Sequence, residues 1–106
     1  MFLTVKRAPP GSPKKYVAVF QVVGVSDVRV PFGQRGSMDY IKWYKQKGPK
    51  VAAERRRAYL VRHAEREDWG NPLTAGALAR WLLWELPDFS EAAAAFARRF
   101  GLQLAK

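Results

Sequence analysis

The chain of 106 residues contains no cysteine, a single histidine and only nine acidic residues. The lack of cysteine excludes disulfide bonds, cysteine nucleophiles and zinc sites with cysteine ligands, although it fits any cellular compartment. No apolar run is long enough to span a membrane, and residues 1–10 do not form a signal peptide. We therefore expect an intracellular protein of the cytoplasm or nucleus, or one assembled into a particle, and not a secreted one.

Basic residues are abundant: nineteen Lys and Arg give a formal net charge of +10. Residues 1–50 hold ten basic and two acidic residues, whereas residues 51–106 hold nine basic and seven acidic ones. Such a field attracts polyanions, namely nucleic acid, an anionic membrane surface or an acidic protein. The alternative is a solvated basic face that serves only solubility, and contact with a polyanion is the favoured interpretation.

The first part of the chain, residues 1–32, predicts a β meander. Three stretches are rich in β-branched and aromatic residues: Met1–Arg7, Tyr16–Val25 and Val28–Phe32. The proline-rich loop Ala8–Lys15 separates the first two. The pattern predicts a small three-stranded antiparallel sheet with Met1–Arg7 at its edge.

The remainder, residues 37–101, predicts about four helices. Ser37 is a candidate N-cap for the first helix, SMDYIKWYKQK, and Lys50–Arg66 forms the second. Ala75–Leu86 has only two charged residues and Thr74 as its N-cap, so it predicts a buried central helix. The last helix has Asp88 or Ser90 as its N-cap and Gly101 after its end.

Together these patterns predict one α+β domain over residues 1–106. A small three-stranded antiparallel sheet is followed by about four helices, which pack around the central Trp-rich helix. At this length a chain buries roughly 65% of its unfolded surface, so one core needs no metal or disulfide.

The strongest functional signal is a group of cations on the first two predicted helices. At 100° per residue, Arg55, Arg62 and Arg66 fall within about 40° of one another on a helix. Cations that cluster on adjoining helices suit phosphate contacts, which give affinity without sequence choice. Trp43, flanked by Lys42 and Lys45, is the best candidate for stacking on a base. The predicted polyanion-binding residues are Lys42, Trp43, Lys45, Lys47, Lys50, Arg55, Arg56, Arg57, Arg62 and Arg66.

Three other features could be functional sites, but in each case a purely structural role is favoured. His63 with Glu65, Glu67 and Asp68 could suggest a metal or nuclease site, but one histidine with an i,i+4 carboxylate is a frequent helical pair. Trp69, Trp81 and Trp84 stand at spacings that favour a core over base stacking. The segment GQRG at 33–36 favours a tight turn over a phosphate-binding loop, because it lacks the Walker pattern.

The middle and C-terminal parts of the chain resemble a family of short basic proteins encoded by giant DNA viruses and some algae. The resembling pieces keep their order and spacing over about two thirds of the chain. They are Phe32-Gly33-x-x-Gly36-x-x-Asp39-Tyr40, Arg56-Arg57-x-Tyr59-x-x-Arg62-His63, Glu67-x-Trp69-x-x-Pro72-x-Thr74-Ala75-Gly76-Ala77-Leu78, Arg80-Trp81-x-Leu83-Trp84, Pro87 and Arg98-Arg99-Phe100. Two departures are Lys45-Gln46-Lys47-Gly48, where the family tends to have a His-Lys-Asp step, and a longer hairpin around Val22–Val28.

The resemblance implies a viral or virus-derived context and supplies no catalytic residues. Two functions follow as hypotheses. The first is a non-enzymatic protein that binds nucleic acid, DNA in preference to RNA, through phosphate contacts without sequence specificity, in the host cell or in the virion. The second is a minor capsid protein that docks on acidic partner chains or pairs through the strand Met1–Arg7. An enzyme is a distant third, and we predict no cofactor, no metal, no small-molecule substrate and no membrane span.

Overall fold

Strand-forming residues dominate the first third of the chain, and three of the four strands form there. A computed structural model describes residues 1–105, and it shows an α+β fold with four helices, as predicted. The elements are β1 (Phe2–Arg7), β2 (Lys14–Gln21), β3 (Val28–Gln34), α1 (Tyr40–Lys47), α2 (Pro49–His63), α3 (Ala75–Leu83), α4 (Phe89–Phe100) and β4 (Gln103–Leu104).

The sheet has four strands rather than the predicted three, and it is mixed rather than antiparallel. Its order is β3-β2-β1-β4, and β4 pairs in parallel with β1 through Phe2↔Gln103 and Leu3↔Leu104. The Gln103 N–H donates to the Met1 carbonyl at 3.0 Å. A two-residue strand is too short to show the alternation that identifies strands in a sequence. Phe2 and Leu3 at the start of β1 are therefore interior and not at the predicted edge, whereas residues 4–7 pair with β2 alone and lie at an edge, as predicted. The strand β3 is the outer strand on the other side of the sheet.

The antiparallel register aligns the apolar residues of one sheet face. Leu3 lies opposite Phe20, and Tyr16 lies opposite Phe32. Leu3, Phe20 and Phe32 are buried, because α3 packs on β3 and α4 packs on α3. Pro31 lies in β3, where an outer strand tolerates a residue without an N–H donor.

The first two helices begin and end at residues that differ from the prediction. Asp39 and not Ser37 is the N-cap of α1, since its carboxylate accepts the Lys42 N–H at 2.9 Å. Gly48 alone separates α1 from α2, with a φ of 88° that favours glycine, and Pro49 opens α2. α2 ends at His63, three residues before the predicted end at Arg66.

The third helix is the most buried one, as its sequence predicts. Five of the nine residues of α3 are buried, because the helix packs between β3 and α4. Thr74 caps it as predicted, but the helix ends at Leu83 and leaves Trp84 as its C-cap. In α4 the N-cap is Asp88, one of the two predicted candidates, and Gly101 closes the helix in the left-handed conformation, as predicted.

Candidate functional site

The predicted basic residues lie on two helices that pack against each other, α1 and α2. Eight of the predicted cations are exposed, and we call them the α1–α2 basic surface. They are Lys42, Lys45, Lys47, Lys50, Arg55, Arg57, Arg62 and Arg66. Arg66 follows the end of α2 and lies in a turn, where its guanidinium approaches the Arg62 carbonyl at 3.5 Å.

The charges of this surface have no ion-pair partners among residues 1–105. Among residues 1–105, the ion pairs are Lys15–Asp39, Arg56–Glu85, Arg80–Glu85 and the weaker His63–Glu67 contact. None of these pairs includes a cation of the α1–α2 basic surface. Exposed cations without partners keep their long side chains free for an external anion, and their field is reduced mainly by salt.

Arg56 was predicted to join this surface, but the structure places it in a different environment. Its Nε donates to the Trp84 carbonyl at 2.7 Å, and its Nη2 contacts Glu85 Oε1 at 2.7 Å. Arg80 Nη1 reaches the same Glu85 oxygen at 2.7 Å. Burial alone raises the pKa of Glu85, but hydrogen bonds from Arg80 and Arg56 outweigh it and lower that pKa below its usual value. Arg56 therefore ties α2 to the end of α3.

Trp43, the predicted stacking residue, is half-buried and already has a cationic partner. The Arg55 guanidinium lies 4.6 Å from the centroid of its ring. Its indole also packs against the hydrophobic core. A base that stacks on Trp43 must therefore share the ring with Arg55 or displace it.

The other tryptophans belong to the core and its margin, as the sequence predicts. Trp84 is buried, and Trp69 and Trp81 pack against the core cluster. The Trp81 Nε1 donates to the Trp69 carbonyl at 2.9 Å. Arg80 and Arg99 lie over the Trp81 ring at 4.2 Å and 3.7 Å from its centroid.

The turn predicted for segment 33–36 begins at Gln34, the last residue of β3, and ends at Ser37. The Ser37 N–H donates to the Gln34 carbonyl at 3.2 Å, and Gly33 and Gly36 have φ values of 77° and 88°. Arg35 reaches back to the loop before β2, where its Nε donates to the Ser12 carbonyl at 2.7 Å. This guanidinium therefore holds two loops together.

Sequence reasoning missed a cleft that lies between three parts of the chain. They are the open end of the β2–β3 hairpin, where β2 starts and β3 ends, the end of α2, and α3. The volume of the cleft is about 340 Å³. Polar residues from the hairpin, from the segment after it and from the end of α2 line the cleft, whereas α3 contributes only small and apolar residues such as Ala79 and Leu83. The polar lining includes Lys14, Lys15, Gln34, Ser37, Asp39, Tyr59, Arg62, His63 and Glu67.

A buried ion pair forms one wall of this cleft. The Lys15 ammonium contacts Asp39 Oδ2 at 2.8 Å and donates to the Ser37 carbonyl at 2.6 Å. The two side chains are only 11% and 6% exposed. They are 24 residues apart in sequence, so no local pattern could have revealed the pair.

His63 faces the same cleft, and its environment differs from that of a metal ligand. Its Nδ1 lies 3.6 Å from Glu67 Oε1, and its ring stacks on Tyr59. Glu65 and Asp68 are exposed to solvent. Over residues 1–105, no three His, Asp or Glu side chains are grouped closely enough to hold a metal ion.

Comparison of the chain with protein-family models, with curated proteins and with solved structures finds no match in any of the three. Within residues 1–105, no helix is both long enough and apolar enough to cross a membrane. The functional conclusions therefore depend on the residues and their geometry.

Proposed function

We propose that this protein binds nucleic acid without catalysing a reaction, and that it contacts phosphates through the α1–α2 basic surface. The observation that carries this proposal is the set of eight exposed cations, seven on two packed helices and Arg66 in the turn after α2, none of them in an ion pair within residues 1–105. Phosphate oxygens are the natural partners of such cations, and each contact releases a condensed counterion. DNA is our first choice over RNA, because the sequence resemblance favours a large DNA virus and its particle as the context.

The interaction that we propose is not specific for sequence. Helix-turn-helix proteins place polar side chains at the start of a recognition helix, after a turn of three or four residues. Here Gly48 alone joins α1 to α2, and α2 starts with Pro49 and Lys50. These residues suit backbone contacts rather than readout of base edges.

A minor structural role in a virion is the second candidate, and the tip of the β2–β3 hairpin favours it. Four valines are exposed there, and Val23 and Val25 are 92% and 64% exposed. An exposed apolar group of this kind marks a contact with another protein more often than a nucleic-acid contact. Two sheet edges could pair with a partner chain: the outer strand β3, and residues 4–7 of β1, which β4 does not cover.

Salt dependence and matched charge variants distinguish the two candidates. A surface variant would carry Lys45→Gln, Lys50→Gln and Arg57→Gln. A control variant would carry Lys6→Gln, Arg29→Gln and Arg98→Gln, which removes the same charge from exposed positions outside α1 and α2. Binding to a generic DNA duplex and to single-stranded RNA would be measured by fluorescence anisotropy at about 50 and 200 mM salt.

For about five phosphate contacts, affinity for the duplex should fall several hundred-fold over this salt range. We expect the surface variant to lose much more affinity than the control variant, although both lose the same net charge. No binding by the folded protein at about 50 mM salt would contradict the proposal. Equal losses in both variants would also contradict it, because they would show that only the total charge matters.

A further inference from the structure

The cleft beside the α1–α2 basic surface offers a hydrogen-bond donor, the side-chain hydroxyl of Tyr59. Tyr59 is only 6% exposed and lines the cleft. Its hydroxyl forms no hydrogen bond within residues 1–105, and burial, aided by the charge of Glu67, raises its pKa to about 12. The hydroxyl is not one of the fully enclosed polar atoms without a partner, so this neutral donor is accessible to a molecule in the cleft.

A stack of three aromatic rings forms one wall of the cleft and ends at His63. The Tyr59 and Trp84 rings are parallel within 1°, with centroids 4.3 Å apart. The His63 ring stacks on Tyr59, also at 4.3 Å, and about a third of its side chain is exposed. A flat heterocycle that enters the cleft can extend this stack, since aromatic residues and bases pack face to face.

The charged side chains that line the cleft include both an anion and cations. Glu67 supplies a carboxylate that accepts hydrogen bonds, and it lies directly against Gly76, where a β-carbon would overlap it. Lys14 and Arg62 supply cations, and neither forms an ion pair within residues 1–105. A complementary ligand has an anionic end, a flat apolar body and N–H or O–H donors.

We propose that the cleft binds one nucleotide, with its phosphate at Lys14 and Arg62 and its base against His63, Tyr59 and Glu67. The volume of about 340 Å³ lies within the range of small-ligand sites. This proposal goes beyond phosphate binding on the α1–α2 basic surface, because a base inside a duplex cannot enter a cleft. The nucleotide is either free or belongs to an unpaired part or an end of a strand.

The test measures binding of AMP, GMP, CMP and UMP to the whole protein by isothermal titration and by tryptophan fluorescence, to which Trp84 contributes together with the other three tryptophans. Inorganic phosphate and adenosine serve as part-ligands. We expect at least one nucleotide to bind with a Kd of about 1 mM or tighter, and to bind more tightly than either part-ligand. If no nucleotide binds, or if inorganic phosphate binds as tightly as every nucleotide, the proposal is wrong.

Two conservative variants test the position of the ligand. Tyr59→Phe keeps the ring stack and removes the hydroxyl, and we expect it to weaken binding about 3- to 10-fold. Gly76→Ala pushes the Glu67 carboxylate from its place, while alanine favours the helix at this position. Circular dichroism would check that both variants fold, and wild-type affinity in both folded variants would refute the assignment.

A 5′-phosphorylated single-stranded hexanucleotide identifies the source of the nucleotide. If the hexanucleotide binds more tightly than the mononucleotide, and the surface variant loses this gain in affinity, the natural ligand is a nucleotide within a strand. The surface variant carries Lys45→Gln, Lys50→Gln and Arg57→Gln. Equal affinity indicates a free nucleotide, and either result supports the cleft. Duplex binding is measured on the same samples, so the cleft and the α1–α2 basic surface can fail independently.

Discussion

The buried ion pair between Lys15 and Asp39 gives the sharpest prediction about stability. Asp39 caps α1 through the Lys42 N–H at 2.9 Å and contacts the Lys15 ammonium at 2.8 Å. Loss of an N-cap costs about 1 kcal/mol, and removal of one partner from a buried ion pair costs about 3–5 kcal/mol. We therefore expect Asp39→Ala to lower the free energy of unfolding by about 4 kcal/mol, out of about 5–15 kcal/mol for a domain of this size.

The chain offers a matched control for the cap alone. Asp88 caps α4 through the Glu91 N–H at 2.9 Å, but it is exposed and forms no ion pair within residues 1–105. Asp88→Ala should cost about 1 kcal/mol. Asparagine caps a helix as well as aspartate does, so Asp39→Asn removes the charge and keeps the cap. Its expected cost of about 3 kcal/mol measures the ion pair.

Urea unfolding followed by far-UV circular dichroism measures these differences. With a slope of about 2 kcal/mol per molar, Asp39→Ala should lower the midpoint by about 2 M and Asp88→Ala by about 0.5 M. Adding Lys15→Met to Asp39→Asn should restore part of the loss, because no unpaired ammonium then remains buried. Equal costs for Asp39→Ala and Asp88→Ala would refute the reasoning, since the buried pair would then contribute nothing.

Two further predictions concern Glu85 and the hairpin tip. The folded-state pKa of Glu85 is lowered from 4.5, so its charge stabilises the fold above that pH, and this contribution is lost as pH falls through the folded-state value. The stability gap between wild type and Glu85→Gln, measured by urea unfolding from about pH 3 to 7, should therefore close in acid; a gap that does not vary with pH would exclude this role. Val23→Lys should leave stability within about 0.5 kcal/mol, because Val23 is 92% exposed, and should reduce any self-association or capsid-protein binding seen by sedimentation. Unchanged association would remove the hairpin tip from the protein-docking candidate.

The sequence predicts the fold best where local chemistry decides it. Thr74 and Gly101 cap their helices as predicted, and Asp88 is one of the two predicted N-caps of α4, because capping depends on the residue and its immediate neighbours. The choice between Ser37 and Asp39 as the cap of α1 is different. Both residues are good caps, and Asp39 has an additional partner in Lys15, which comes from another element of the fold. A tertiary contact of this kind is absent from any local pattern.

The candidate site shows the same division between local and tertiary information. Helical periodicity places Arg55 and Arg62 on one exposed face of α2, and both are exposed in the structure. Arg56 was predicted to widen the same basic surface, but it lies about 100° around the helix from Arg55. On that side of α2 it contacts Glu85 and the Trp84 carbonyl, which follow the end of α3. The cleft depends on three separate parts of the chain, so only the structure brings Tyr59, Glu67 and Gly76 together.

Arg62 connects the two proposed sites physically. It belongs to the exposed face of α2 that carries Arg55, and it also lines the cleft. A strand whose backbone follows that face would place a phosphate at Arg62 and its base at the mouth of the cleft. Only an unpaired base can then reach Tyr59, so the two proposals together require tighter binding of a single strand than of a duplex with equal phosphate charge. Substitution of Arg62 should therefore weaken both interactions. Lys45, Lys50 and Arg57 do not line the cleft, so their substitution should weaken binding to the α1–α2 basic surface alone.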